Sequence, residues 1–433
     1  MAPAKAESYR VPAADTPWLG VREPEQAKLW RERCLGMYRQ LHQHPELSGR
    51  EYRTARVVAG RLRSLGFTVH EGVGGTGVVG KLANGAGPTV LMRAELDGLA
   101  VAEQTGLPYA SKARAQLDGS EQGISHACGH DVHMAALLAA AEKLAAHRRQ
   151  WSGTAVALFQ PAEETGLGAQ AMLDDRLQDL IGCPRVLLAQ HSSPMPAGVV
   201  TMRSGPVTAA GTNLDVTFSA VSGHVALARK VENPAQAVGK LMALLEELTG
   251  QSAQLHHAVG KLWAGSGYNI VPETAGLGLS LRATDDERLR QLVHGLRHAA
   301  AEAAALHTQG RVPQIRTRGY FPVLCNDLEA TAQVHQALQR LDFPVYWQVE
   351  QAWACEDLGV LARGLRTPAV YWFLGVSDPV LFSEADRARM LEGGIPQQVP
   401  ANHSGNFAPH LEAVLHGAIA METAALAFFK EVS

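Results

Sequence analysis

Apolar residues at Leu29, Trp30, Cys34, Tyr38 and Leu41 recur at helical spacing, which predicts an amphipathic helix ending before His44-Pro45 forces an extended turn. A second helix is predicted from Glu51 to Leu65, closed by Gly66, and Phe67-Thr68-Val69 has the composition of a strand. Val78 to Leu82 is a β-type run that ends in Asn84-Gly85, and Thr89 to Met92 follows, so the two runs read as a hairpin. Downstream, Ala135 to Leu144 has helical texture, while Thr154 to Phe159 and Val186 to Ala189 are short apolar runs of the kind that form buried strands. Helices alternating with buried strands imply an α/β sheet.

From about Asn213 the pattern changes. Leu214 to Phe218 and Gly276 to Leu281 alternate as half-exposed strands do; they flank a helix over Pro234 to Leu248, and another helix follows at Asp286 to His307. Residues 211–313 therefore read as an inserted, smaller α+β domain. After Val312-Pro313 the core pattern resumes, with a strand at Ala369 to Leu374, a polar loop to His403 and a closing helix from Leu411 to Phe428. The expected organisation is an arm over 1–25, a main domain made of 26–210 and 314–433, and the insertion. The chain shows no internal repeat.

Composition narrows the function classes. A chain of 433 residues suggests two domains or three and can bury a sizeable core. With 46% hydrophobic and 19% charged residues and a formal net charge of −3, neither disorder nor a polyanion-binding surface is indicated, so nucleic acid is not an expected partner. Cys34, Cys128, Cys183, Cys325 and Cys355 are odd in number and scattered, which argues for a reducing compartment, by default the cytoplasm. The first 25 residues lack the apolar core of a signal peptide. Ala418 to Phe429 is broken by Glu422 and is shorter than the ~20 residues that cross a bilayer, so no membrane association is expected.

Candidate chemistry centres on His126-Ala127-Cys128-Gly129-His130-Asp131-Val132-His133. Cys128 and His130 offer a thiolate and an imidazole two residues apart, and Gly129 lets the backbone turn so that both converge. Taken alone, the stretch fits either a metal-ligand pair or a reduced cysteine beside surface histidines. Glu163-Glu164 follows one predicted strand and His191 ends the next, and open α/β sheets gather their sites beyond the carboxyl ends of strands. Adjacent carboxylates on a turn can point different ways, one to a metal and one to the substrate; the plainer reading is a solvated turn. Gly72, Gly74 and Gly77 also fit G-x-G-x-x-G, with Asp97 about twenty residues beyond as a dinucleotide fingerprint wants. That fingerprint needs a helix to start at the glycines, whereas a β-type run follows them.

Taken together, Leu41 to Ser48, Gly72 to Gly80, Arg93 to Leu99, His126 to Asp131, Pro161 to Glu164, Ala189-Gln190-His191, Asn269-Ile270-Val271-Pro272 and Asn402-His403-Ser404 span nearly the whole chain. They resemble the dinuclear metal-dependent amidohydrolases of the aminoacylase and carboxypeptidase G superfamily, specifically the branch of the auxin-conjugate (IAA-amino acid) and hippurate hydrolases. The resemblance implies a catalytic domain with a mixed, largely parallel sheet flanked by helices, and an inserted lid that also forms a homodimer. It further implies two divalent ions per chain, shared by Cys128 and completed by His130, Glu164, His191 and His403. Glu163 would be the general base and acid, and Asp97 would support the metal site. His224 would reach the substrate carbonyl, often across the dimer, and Asn269 and Arg282 would take the substrate's carboxylate end. A thiolate, three imidazoles and a carboxylate suit zinc, and manganese, cobalt or nickel are compatible with the same donors.

The expected activity is hydrolysis of the amide of an N-acyl amino acid or related conjugate, releasing a carboxylic acid and an amine. The rivals are a dipeptidase or carboxypeptidase-like activity and a catalytically silent metal-holding protein; the intact Glu163 speaks against the latter. Departures fall in the substrate-facing loop, where Gly223-His224-Val225-Ala226-Leu227-Ala228-Arg229 lacks a second glycine, a proline and a second histidine of the family pattern. Arg93-Ala94-Glu95-Leu96-Asp97-Gly98-Leu99-Ala100 and Cys355-Glu356-Asp357-Leu358 also vary from it. Altered specificity is expected before lost activity.

Overall fold

The structure is a computed structural model that describes residues 24–431 apart from 118, 228–231, 251 and 391–393. The expected arm lies outside the described residues except for Pro24 and Glu25, which open helix α1 (Pro24–His42). Trp30, Cys34, Tyr38 and Leu41 are buried along α1 as their spacing requires, whereas Leu29 is exposed. After α2 (Tyr52–Ser64), strands β1 (Thr68–Val73) and β2 (Gly77–Asn84) pair antiparallel. The glycine loop closes this hairpin and opens no helix.

The main layer continues through β3 (Thr89–Glu95), α3 (His130–Ala146), β4 (Trp151–Gln160), β5 (Val186–Pro196) and β6 (Val200–Met202). A smaller layer follows: β7 (Ala210–Ser219), α4 (Pro234–Thr249), β8 (Leu255–Ala264), β9 (Thr274–Ala283), α5 (Asp286–His307) and β10 (Gln314–Phe321). The chain then returns with β11 (Val345–Trp347), β12 (Ala369–Ser377) and α6 (Leu411–Leu426). The main sheet runs β1-β2-β4-β3-β5-β12-β6-β11, and Lys430–Glu431 adds a short strand on β4. Its centre is parallel: β3 pairs with both β4 and β5, and β5 with β12.

The expected β2–β3 hairpin does not form. β4 lies between them, antiparallel to β2 and parallel to β3. Residues 85–88 step across the start of β4, where Thr154 donates to the Pro88 carbonyl at 2.9 Å. The crossing is so close that a Cβ on Gly153, at φ +135°, would lie 2.3 Å from that carbonyl oxygen. Asn84-Gly85 is a turn, but the Asn84 side chain donates to the Arg148 and Trp151 carbonyls, and the buried strand takes the central place.

Alternation along the central strands divides the main core in two. Val90, Met92 and Ala94 of β3, with Ala155, Ala157 and Phe159 of β4, face α1, α3 and α6; Leu91, Val156 and Leu158 face the opposite side. Full burial of each such Val, Leu or Phe contributes roughly 1.5–3 kcal/mol. The sheet is thus covered on both faces, as its parallel centre requires. The smaller sheet, ordered β8-β9-β7-β10, has its own core against α4 and α5, with Leu241, Leu277 and Leu296 fully buried. β10 pairs with β7, so this sheet extends to Phe321, past the expected boundary at 313. Gln314 to Tyr320 is mostly exposed and offers little apolar signal. Among the described residues, no helix is long and apolar enough to cross a membrane.

Candidate metal centre

The centre forms where the carboxyl ends of the parallel strands open. Gly129, at φ +80°, precedes the first residue of α3, and a Cβ there would lie 2.5 Å from Ser192 Oγ. Only glycine suits both the left-handed backbone and that approach. Cys128 and His130 thus leave the turn side by side. His191 stands on β5 two residues beyond Ala189, where pairing with β3 ends. Glu163 and Glu164 lie on the turn that leaves β4, and His403 comes from the long loop before α6. His403 holds φ +66°, with its N–H on the Ala127 carbonyl at 2.7 Å; such backbone in a non-glycine residue is typical of functional sites.

Two donor sets result, and they share Cys128. Ligand atoms of Cys128, His130 and His191 lie within 4.8 Å of one another, and so do those of Cys128, Glu164 and His403. Cys128 Sγ is 3.5 Å from His191 Nε2 and 3.2 Å from His403 Nε2; Glu164 Oε1 is 3.5 Å from His403 Nε2. Zinc–sulfur and zinc–nitrogen bonds of about 2.3 and 2.1 Å at tetrahedral angles separate the donors by about 3.6 Å, so the spacing suits an ion between them. His130 Nε2 and Glu164 Oε1 are buried without a hydrogen-bond partner, which is what a cation would satisfy.

The remaining nitrogens are committed so that the ligand atoms are free. His130 Nδ1 donates to the Asp97 carbonyl at 2.8 Å, and His191 Nδ1 to the Ser192 carbonyl at 2.8 Å, so each ring turns Nε2 inward. The Asp97 carboxylate itself accepts from Ser48 Oγ at 2.7 Å and the Glu164 N–H at 3.0 Å. Burial, with His133 close by, holds His191 well below the usual imidazole range and hence neutral. Burial and the Glu164 carboxylate push the Cys128 thiol up, so a thiolate there needs an adjacent cation.

Glu163 is buried beside His130, with its Oε2 3.8 Å from His130 Nε2. Burial, with Glu356 and Glu164 near, holds its carboxyl well above the usual range. Behind it lies a network that the sequence reading left without a role. Arg93, fully buried, donates to Glu95, to Glu356 at 3.2 Å, to Asp357 at 2.9 Å and to Gln160 at 3.0 Å. Ligand atoms of Glu163, Glu356 and Asp357 also lie within 4.8 Å of one another. The available signal was an arginine inside the apolar run Val90 to Ala94, since a buried charge requires partners. His133, the last residue of the starting motif, accepts from Ser192 N at 2.7 Å and donates to Glu95 at 2.6 Å, which commits both its nitrogens.

The residues expected from the smaller layer are placed differently. His224 and Asn269 are exposed; His224 pairs with Ile270 in a two-residue ladder, Gly223–His224 with Ile270–Val271, and just beyond it Val225 N donates to the Asn269 carbonyl at 3.1 Å. Arg282 donates to the Trp353 carbonyl between the layers. Among the described residues, no hydrogen bond or ion pair joins these three to the metal-site donors. Ala228 and Arg229 of the altered loop lie outside the described residues.

The profile of peptidase family M20/M25/M40 matches residues 91–387. The N-acetyl-L-cysteine deacetylase of Bacillus subtilis is 32% identical over 325 residues, covering 72% of this chain and 74% of that protein. IAA-amino acid hydrolase ILR1-like 4 of Arabidopsis thaliana is 26% identical over 356 residues, covering 79% and 77%. The crystal structure of a dinuclear metal-binding peptidase of family M20 from Bacillus subtilis superposes with a TM-score of 0.70 at 24% identity, covering 92% of this chain and 98% of that one; this likeness speaks to the fold. The chain belongs to peptidase family M20/M25/M40. It is a metal-dependent amidohydrolase with the mixed α/β sheet and second, smaller layer of its structural neighbours.

Proposed function

We propose that this chain hydrolyses the amide of N-acyl amino acids or related conjugates, using two divalent ions held by Cys128, His130 and His191 and by Cys128, Glu164 and His403. The observation that carries the reading is the pair of three-donor sets sharing one thiol, with the buried Glu163 at their edge. The names of the relatives, a deacetylase of N-acetyl-L-cysteine and a hydrolase of IAA-amino acids, support the substrate class.

When bound, the ions supply Lewis-acid polarisation of the scissile carbonyl and acidify a water. Glu163 takes a proton from the attacking water and returns it to the leaving nitrogen, a task suited to a carboxyl whose proton affinity is raised. His224 donates a hydrogen bond to the carbonyl oxygen as negative charge develops there. Its Nδ1 accepts from Ala226 N at 3.1 Å, which leaves the proton on Nε2 as donor. Asn269 and Arg282 take the substrate's carboxylate end.

The smaller layer serves as lid and dimerisation surface. Val221, Val225, Tyr268 and Ile270 are exposed on the segments that carry His224 and Asn269, and Leu262 is exposed on β8, apolar surface of the kind a second copy covers. Zinc suits the donors best, with manganese, cobalt and nickel as alternatives. The cysteines, all free, fit a cytoplasmic setting. A hydrolysis screen on metal-reconstituted protein, with acyl and amino-acid halves varied independently, tests the substrate class. Turnover abolished by chelation is the expected result; cleavage only of substrates bearing a free α-amine in the acyl half would favour a dipeptidase, and no turnover at all would refute the reading.

A further inference from the structure

Helix α2 begins at Tyr52, which puts Glu51 in the position whose side chain ordinarily caps the helix. It makes no cap. Glu46 does so instead, accepting from Arg53 N at 3.1 Å and Thr54 N at 2.8 Å. Glu51 turns inward, fully buried, and accepts from three other donors: Gly49 N at 2.8 Å, Thr76 Oγ1 at 2.7 Å and Ala162 N at 2.9 Å. No ion pair to Glu51 occurs among the described residues. A buried carboxylate without a counter-charge is tolerated only when such donors satisfy it; here Oε1 takes both Gly49 N and Ala162 N, and Oε2 takes Thr76 Oγ1.

The last of those donors matters most. Ala162 holds φ +50°, a left-handed conformation that its Cβ disfavours, and the next two residues are Glu163 and Glu164. The glycine loop that mimics a dinucleotide fingerprint closes on the same turn: a Cβ on Gly77 would lie 3.1 Å from Pro161 Cδ and 2.8 Å from Met172 Cε. Thr76 in that loop steers Glu51, and Glu51 holds Ala162.

We infer that Glu51 is a positioning residue, which locks the left-handed turn at Ala162 and thereby sets where the Glu163 and Glu164 side chains fall. The inference rests on the roles proposed above for those two residues. A displacement of about 1 Å in such a group can cost on the order of a hundred-fold in rate.

The test uses the full chain, with Glu51→Ala, Glu51→Gln, Thr76→Val and, as a comparator for loss of an ordinary helix cap, Glu46→Gln. Each is followed by thermal unfolding, by calorimetric titration of chelator-treated protein with Zn²⁺, and by kcat and KM on an N-acyl amino acid that the parent cleaves. Glu51→Ala is expected to lower kcat about ten- to a hundred-fold with KM within about two-fold, and to weaken Zn²⁺ binding several-fold. Adding Ala162→Gly, which makes the left-handed turn easy again, is expected to restore part of both. If Glu51→Ala does not fold, Thr76→Val carries the test, since it removes the donor that steers Oε2, while Glu51→Gln, whose amide oxygen can replace Oε1 and accept from both Gly49 N and Ala162 N, is the conservative variant expected to stay within a few-fold of the parent. Parent-like kcat and Zn²⁺ affinity in Glu51→Ala, or in Thr76→Val where Glu51→Ala does not fold, would overturn the inference, as would equal losses in Glu46→Gln at matched stability. Parent-like turnover in Glu163→Gln would instead overturn the functional reading on which it rests.

Discussion

The donors on the main sheet and the residues on the smaller sheet differ in what holds them. Cys128, His130, His191 and Glu164 grow from strand ends and a helix start, and backbone carbonyls fix the His130 and His191 rings from behind. His224 stands exposed on a two-residue ladder and Asn269 just before it, and among the described residues the Ala226 N–H is the one hydrogen-bond partner of the His224 ring. Metal chemistry needs placement finer than an ångström, and the first region is built for that. In the second region the side chains of His224 and Asn269 face solvent. One chain thus pairs a buried, tightly fixed donor cluster with an exposed, lightly held ladder, for which a grip on substrate is proposed.

The sharpest way to break this contrast is to remove the chemistry from the rigid side. Glu163→Gln keeps the size of the side chain and removes the base, and kcat is expected to fall by ~10²-fold or more while both ions are retained. Steady-state kinetics with elemental analysis checks this; near-parent turnover would remove Glu163 from the mechanism. Next in size, Cys128→Ser is expected to lose most bound metal, because the thiol serves both donor sets, whereas Cys34→Ser, buried in the α1 core, is expected to keep it.

A third expectation concerns stability on the rigid side. His42 is buried between Asp131 Oδ2 at 2.6 Å and Glu103 Oε1 at 3.1 Å. Burial works against its charge, but the two carboxylates outweigh burial and lift it from 6.5 to about 10. A pKa raised on folding gives stability that is fully present below 6.5 and lost as pH rises toward 10. Asp131 and Glu103 are shifted the other way, held low by His42 against burial, so their share is lost in acid. The melting temperature is therefore expected to decline from pH 6.5 to 10. His42→Gln should melt lower and lose that slope; an unchanged slope would exclude the triad as its source.

The same contrast explains what was legible in the sequence. Cys128, His130 and the Glu163-Glu164 pair are visible because each set is local, and the apolar rhythm of Pro234 to Leu248 and Asp286 to His307 gives α4 and α5 almost to the residue. The false hairpin at Asn84-Gly85 fails because the strand that pairs with β2 comes from far along the chain, and no local pattern reports it. Edge strands β8 and β10 escape because exposed edges carry weak alternation. The Arg93 network and the Glu51 lock are silent for a third reason. Their partners, Glu356, Asp357, Thr76 and Ala162, lie on other elements, and only the buried charge in β3 hinted at the first.

The smallest expected effect tests the loose side, and it asks whether the grip is completed by a second chain. Among the described residues the layer that carries His224 supplies no metal-site donor, so the role proposed for His224 requires either closure of its own lid or a partner chain. Glu163→Gln and His224→Ala are each expected to be nearly inactive. If His224 works across a dimer, a hybrid of the two variants contains one site with Glu163 from one chain and His224 from the other. Random exchange of equal amounts makes half the dimers hybrids, each with one working site of two, so about a quarter of the parent activity is expected to return. Exchange is verified independently, by mass spectrometry of differently tagged chains. No recovery despite proven exchange places His224 in its own chain's site. Full activity in His224→Ala alone would deny it any role, leave Val225 to Arg229 as an ordinary surface loop, and confine the chemistry to the rigid region.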